Sequence, residues 1–135
     1  MLVLFAALIF AGCGGPFLLL PGGRLAGAEA PLDLSLVPRG AAVLQLETNA
    51  NRPYSVNLGF RQIAGQIYID PDPERRWYHH IQADPNVRIR FGGEDVVHPV
   101  LAEVVTDSEL LTQFTPDRIV IRLVPRSGKS DERKK

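Results

Sequence analysis

Through the middle of the chain, apolar and polar residues alternate in short runs separated by turn-forming residues, the signature of half-buried β-strands. Ala42, Leu44 and Leu46 against Val43, Gln45 and Glu47 predict a first strand that ends near Thr48. The turn chemistry of Asn49-Ala50-Asn51-Arg52-Pro53 leads into a second, in which Tyr54, Val56, Leu58 and Phe60 alternate with Ser55, Asn57 and Gly59. After a turn near Ala64-Gly65, Ile67 and Ile69 flank Tyr68 in a third, and these three are expected to form a meander with one apolar face. Val87, Ile89 and Phe91 against Arg88 and Arg90 predict a fourth strand. A fifth is expected from about Val96 to Val105, with Pro99 at an edge or a bulge, and Ile119, Ile121 and Leu123 mark the last.

Between Pro73 and Asp84 the pattern changes to helical spacing. Asp72 is expected as N-cap with Pro73 at the first helical position, and Pro85 pushes Asp84 out of the α region and stops the helix there. Its buried stripe is Trp77 and Ile81, with Tyr78 beside it. Asp107 is expected to cap a second short helix through Leu111. Six strands with closely spaced turns and one or two short helices predict a mainly β fold, a small antiparallel barrel over residues 41–126. Closing the barrel would remove the sheet edges that short antiparallel strands otherwise leave open.

The ends of the chain differ from this middle. Met1 to Gly23 has no charged side chain, and two interpretations of it stand side by side. In one, about Leu2 to Leu20 form a transmembrane helix, since roughly 20 apolar residues span a bilayer core. In the other, Phe10-Ala11-Gly12-Cys13 resembles a bacterial lipobox, which makes Cys13 a candidate lipidation site. Both place the domain at a membrane in the bacterial cell envelope, on the side away from the cytoplasm; a third interpretation, a buried apolar helix of the domain itself, does not. Residues 24–40, rich in Gly, Ala and Pro, read as a linker or a loosely packed arm, in which Leu32, Leu34 and Leu36 alternate as a short edge strand would. Residues 127–135 read as a charged, solvated tail.

Composition narrows the chemistry. Fifteen basic and fifteen acidic residues give zero formal net charge, which removes the electrostatic case for a nucleic-acid partner. The single cysteine cannot form an internal disulfide, and it lies outside the domain, so no Cys-His nucleophile is expected. His79 and His80 are adjacent on the helix, pointing roughly 100° apart, and cannot chelate one ion together. Both are expected at the surface, with no metal site. Arg75 and Arg76 fall in the first helical turn, where free amides and the helix dipole favour anions, and with Arg52 they form a candidate phosphate clamp. The alternative is that they pair with Asp72, Glu74 or solvent. Trp77 is either a ring-stacking residue or core, and Asn57 lies on the polar face of the second strand, where it would line a groove.

The order of elements, and Trp77 followed by Ile81, Ala83, Asp84-Pro85, Val87 and Arg88, resembles the FMN-binding split barrel of the pyridoxamine 5′-phosphate oxidase-like superfamily. Its nearest branch is the deazaflavin (F420)-dependent, nitroreductase-like one. Pro116-Asp117-Arg118 leading into Ile119 to Arg126 is similar to the closing strand of that superfamily. The resemblance covers about Gly40 to Arg126 and implies a six-stranded, Greek-key-like antiparallel split barrel. It also implies FMN or F420 as cofactor, held by Arg52, Asn57, Arg75, Arg76 and Trp77, oxidoreductase chemistry, and a site that is often at a homodimer interface. Two departures bear on this. The loop Asn49 to Pro53 lacks the glycine of the family's phosphate loop, and Asp70, Asp72 and Glu74 bring three carboxylates to the entry of the helix. A relative that keeps the barrel as a non-catalytic envelope binding module is the alternative expectation.

Overall fold

A computed structural model of the chain describes residues 15–92 and 94–126. Its body is a curled antiparallel sheet of seven strands, β2 (Val43–Thr48), β3 (Tyr54–Gly59), β4 (Arg61–Ile63), β5 (Gln66–Ile69), β6 (Asn86–Phe91), β7 (Val96–Val104) and β8 (Ile121–Pro125). A two-residue strand β1 (Ala28–Glu29) adds to β7 in parallel. The spatial order is β3-β2-β6-β7-β8-β5-β4. The strands at the two ends of that path, β3 and β4, are separated in sequence by Phe60 alone, so the sheet curls until its ends meet at that residue.

The alternation read from the sequence sets what faces inward. Leu44, Leu46, Ile67, Ile89, Ile121 and Leu123 are fully buried and fill the barrel. Helix α1 (Arg76–Ala83) lies against β2 and β3 and adds Trp77, Tyr78 and Ile81 to the same core. Helix α2 (Ser108–Leu111) packs on the outer side, where Tyr68, Val105, Phe114 and Val120 form a second cluster. Asp107 caps α2 through the amides of Glu109 and Leu110, as expected. The helix α1 stops at Asp84, whose amide donates to the His80 carbonyl at 2.8 Å.

Several expectations need correction. The sheet has more strands than six, because the run from Tyr54 to the Ala64-Gly65 turn breaks at Phe60 into β3 and β4. That break also undoes the meander. β2 and β3 form a hairpin, while β4 and β5 pair on the far side of the path. The helix begins at Arg76 rather than Pro73. Asp72 caps nothing in α1. Its carbonyl accepts from Arg75 N and its carboxylate from Glu74 N, a β-turn with proline at the second position. Pro99 sits inside β7, not at an edge. Its carbonyl accepts from Arg126 N, so its ring nitrogen points to the same side, into the gap between the end of β1 and the start of the β8 pairing.

Residues 24–40 lie on the barrel as an arm rather than a linker. Leu25, Leu32 and Val37 are buried, and Leu34–Leu36 form a 3₁₀ turn capped by Asp33 where an edge strand was expected. In 15–23, Phe17 and Leu20 bond each other reciprocally and Gly22 pairs with Ser55, so the apolar helix expected through Leu20 does not reach these residues. Among the described residues no helix is long and apolar enough to cross a membrane. Residues 1–14, with Cys13, and the tail from Ser127 lie outside the described residues.

Candidate functional site

The edge strand β3 and the approach to α1 face each other across a groove of about 740 Å³. Tyr54, Val56 and Leu58 of β3 form one wall, and Trp77 with Arg75 and Arg76 forms the other. A second cavity of about 530 Å³ opens beside it, lined by Asn49, Arg52, Pro53, Tyr54, Arg76 and His80. Tyr54 and Arg76 line both, with the Arg76 guanidinium 5.7 Å from the Tyr54 ring centroid. The two spaces adjoin at this cation–aromatic pair, as the larger and smaller arms of a trough that share Tyr54 and Arg76 as lining.

The two arms of the trough differ in charge. The smaller arm has Arg52, Arg76 and His80 and no carboxylate. The larger one sets Arg61, Arg75, Arg76 and Arg118 against Asp70, Asp72 and Glu74. Two of its cations are already engaged. Arg118 Nη1 donates to the Asp70 carbonyl at 3.0 Å, and Arg61 donates to the Gln113 carbonyl while lying over the Phe114 ring. Among the described residues Arg52, Arg75 and Arg76 form no ion pair, and Arg75 and Arg76 are exposed, so of their alternative partners they meet solvent and not Asp72 or Glu74.

His80 is where the structure departs most from the sequence expectation. It is half-buried rather than a surface residue, with Nδ1 2.8 Å from Thr48 Oγ1 and its ring edge-on to Tyr54 at 5.3 Å. Burial pushes its imidazole below the ordinary range, and the Arg76 and His79 charges push the same way. With Nδ1 tied to Thr48, Nε2 is the nitrogen left for the cavity. Thr48 and His80 are 32 positions apart, and the one available hint is that His80 stands three residues from Trp77, on the face that turns toward β2.

The predicted residues are thus divided. Arg52 and Arg76 meet in the smaller arm, and Arg75, Arg76, Trp77 and Asn57 line the larger one. Trp77 is core and wall at once, since it is buried among Ile81 and the barrel residues. Asn57 has its amide occupied, Nδ2 donating to the Leu18 carbonyl at 3.0 Å. Tyr54 and Asn49 escaped notice because alternation and turn chemistry account for them fully. Among the described residues no group of His, Cys, Asp and Glu could hold a metal ion.

No protein-family model matches the chain, and no curated protein matches it. Solved structures do resemble it. General Stress Protein 26 from Bacillus anthracis superposes with a TM-score of 0.57 at 21% identity, over 68% of this chain and 85% of that one. A protein from Listeria innocua named for pyridoxamine 5′-phosphate oxidase gives 0.55 at 16%, over 64% and 85%. The heme storage protein HutZ from Vibrio cholerae gives 0.51 at 16%, over 67% and 85%. The fold is a split β-barrel. At these identities the likeness extends to the fold of the barrel and not to its ligand. The split barrel does explain why the trough lies where it does, since β3 ends the path of strands and has only β2 as a full neighbour.

Proposed function

We propose that this chain is a flavin- or deazaflavin-binding split-barrel protein that acts as an oxidoreductase. The observation that carries this is the pair of adjoining spaces, the smaller one cationic and free of carboxylates, with Tyr54 and Arg76 lining both. FMN and F420 each join a planar ring system to a phosphate-bearing arm, and the residues present fit both parts. Arg52, Arg76 and His80 suit the phosphate, Arg as a planar fork and His80 through Nε2. Tyr54 and Val56 on one side and Trp77 on the other offer the apolar walls a ring requires. When bound, such a cofactor supplies hydride or electron transfer. The chain's own part is to bind and orient it, with Trp77 at 8% exposure keeping water from that wall.

A second function is favoured by one observation. Leu18, Leu19 and Pro21 lie along the larger arm, and Asn57 is already bonded to Leu18. A non-catalytic binding module that has kept the barrel would look like this. Adding FMN and, separately, F420 to the protein and desalting decides between them. Retained colour with quenching of Trp77 supports the cofactor site, and no quenching and no change in Tm with either leaves the binding module.

We further propose that the protein is tethered at the bacterial cell envelope by its apolar N-terminal residues, either as a membrane anchor or through acylated Cys13. The mass of the mature N-terminus distinguishes the two, since acyl chains add a defined increment to a fragment that begins at Cys13.

A further inference from the structure

Phe17 to Leu20 form a tight hairpin turn, Phe17 N donating to the Leu20 carbonyl at 3.0 Å and Leu20 N to the Phe17 carbonyl at 2.8 Å. Its residues are the wrong ones for water. Leu18, the first central position of the turn, holds φ at 51°, a left-handed value that glycine or asparagine normally adopts. Leu18 is 71% exposed and Leu19 at the tip 97%, with Phe17 and Leu20 flanking them at 69% and 65%. Backbone strain and four exposed apolar side chains thus coincide in one turn, which is the combination expected where a partner, not the fold, selects the residues.

Three features identify that partner. The turn lies within a stretch, Met1 to Gly23, that has no charged side chain. It is fixed to the barrel rather than trailing from it, through the reciprocal Gly22–Ser55 bonds at 2.8 Å and the Asn57–Leu18 bond. Arg24, four residues beyond the turn, and Arg61, Arg75, Arg76 and Arg118 of the groove are exposed, and they outnumber the groove's carboxylates Asp70, Asp72 and Glu74, so a phospholipid headgroup layer would meet a net cationic rim.

We propose that the Phe17–Leu20 turn inserts into a phospholipid bilayer and sets the mouth of the groove against its surface. Because Leu18 and Leu19 also line the groove, the ligand class that enters from this side is one dissolved in the bilayer, apolar in body with a polar or anionic end. That last step rests on the groove being a binding site, whereas the insertion itself does not.

The test uses the full chain with Cys13→Ser and an environment-sensitive fluorophore on Leu19→Cys, and in a second protein on Val104→Cys. Val104 is 58% exposed on β7, one of the two strands farthest from β3 around the barrel. With vesicles of mixed zwitterionic and anionic phospholipid, the probe at 19 shifts to the blue and brightens several-fold, and the probe at 104 stays unchanged. A probe at 19 that remains in water overturns the proposal, whether or not the protein floats with the vesicles. So does one already shielded without them, which would mean another part of the chain or a second copy covers the turn. Equal shifts at both positions overturn it as well. FMN and F420 binding measured on the same proteins keeps the two questions apart, because insertion without cofactor binding removes the cofactor site and leaves the bilayer contact standing.

Discussion

Glu47 Oε2 lies 3.4 Å from Arg88 Nε, two residues directly opposite in the β2–β6 pairing, and between them they hold both backbone groups of Leu25. Glu47 Oε1 accepts from Leu25 N at 2.7 Å and Arg88 Nη2 donates to the Leu25 carbonyl at 3.2 Å. Arg90 repeats the arrangement one step along, bonded to Gln45 and to the Ala26 carbonyl. The outer face of β2 and β6 is thus a polar row that binds the incoming chain as a further layer, and Leu25, at 1% exposure, seals it.

Removing one member of that pair strands the other. Arg88→Met leaves the Glu47 carboxylate, 5% exposed, without its cation, and we expect a loss of about 3–5 kcal/mol in denaturant unfolding. Glu47→Leu combined with Arg88→Met removes the stranded charge and recovers much of that loss. A double variant as unstable as the single one would mean that the grip on Leu25, and not charge burial, dominates.

His80 gives the barrel a pH dependence of definite sign. Its pKa is lowered on folding from the ordinary 6.5, so the unfolded chain binds more protons and stability is complete above that value. It is lost as pH falls below 6.5 toward the lowered folded value. His80→Gln flattens the profile of Tm against pH over the mildly acidic range. A bound anion reverses the trend at this residue, because the imidazolium is then the favoured form, so inorganic phosphate raises the His80 titration midpoint in an NMR titration.

The sequence signals that held were those decided locally. Val87, Ile89 and Phe91 alternate because one face of β6 is buried, and Pro85 ends α1 whatever surrounds it. The helix start failed because Asp72-Pro73 suits a β-turn as well as an N-cap, and only the packing of α1 on β2 and β3 decides which. Linker and packed arm look alike over 24–40, because Gly, Ala and Pro suit both until Glu47, Arg88 and Arg90, up to 64 positions away, supply hydrogen bonds to it. The site was legible as a set of cations and one tryptophan. Thr48, Tyr54 and His80 became part of it only through contacts between elements distant in sequence.

The two arginine classes in the trough separate in their effect on ligand. Arg76 has no ion-pair partner among the described residues, and Arg76→Gln should weaken FMN or F420 binding about 10- to 100-fold, the worth of a hydrogen bond to a charged group. Arg118→Gln should change it little, because that guanidinium is bonded to the Asp70 carbonyl. Isothermal titration of both variants checks the contrast, and equal losses would place the phosphate in the larger arm.

Gly27 shows how narrowly the arm is seated. Its φ of 140° is one that side chains rarely adopt, and a Cβ there would lie 2.5 Å from the Asp95 carbonyl oxygen. That same oxygen accepts from Ala28 N at 3.0 Å, the first bond of the β1–β7 pairing, so Gly27→Ala cannot relieve the clash without breaking it. We expect a loss of about 1–3 kcal/mol from the backbone conformation alone, with the steric term added. Gly92→Ala, where nothing lies within 4 Å and φ is ordinary, should be near neutral. Hydrogen exchange distinguishes local from global damage. In Gly27→Ala the amides of Ala28, Ala30 and Leu25 should exchange faster by a larger factor than those of Ile89 or Leu46, because the arm can lift while the barrel stays closed. Uniform acceleration would instead show that the arm and the barrel unfold as one unit, and that Leu25 belongs to the core in energy as well as in burial.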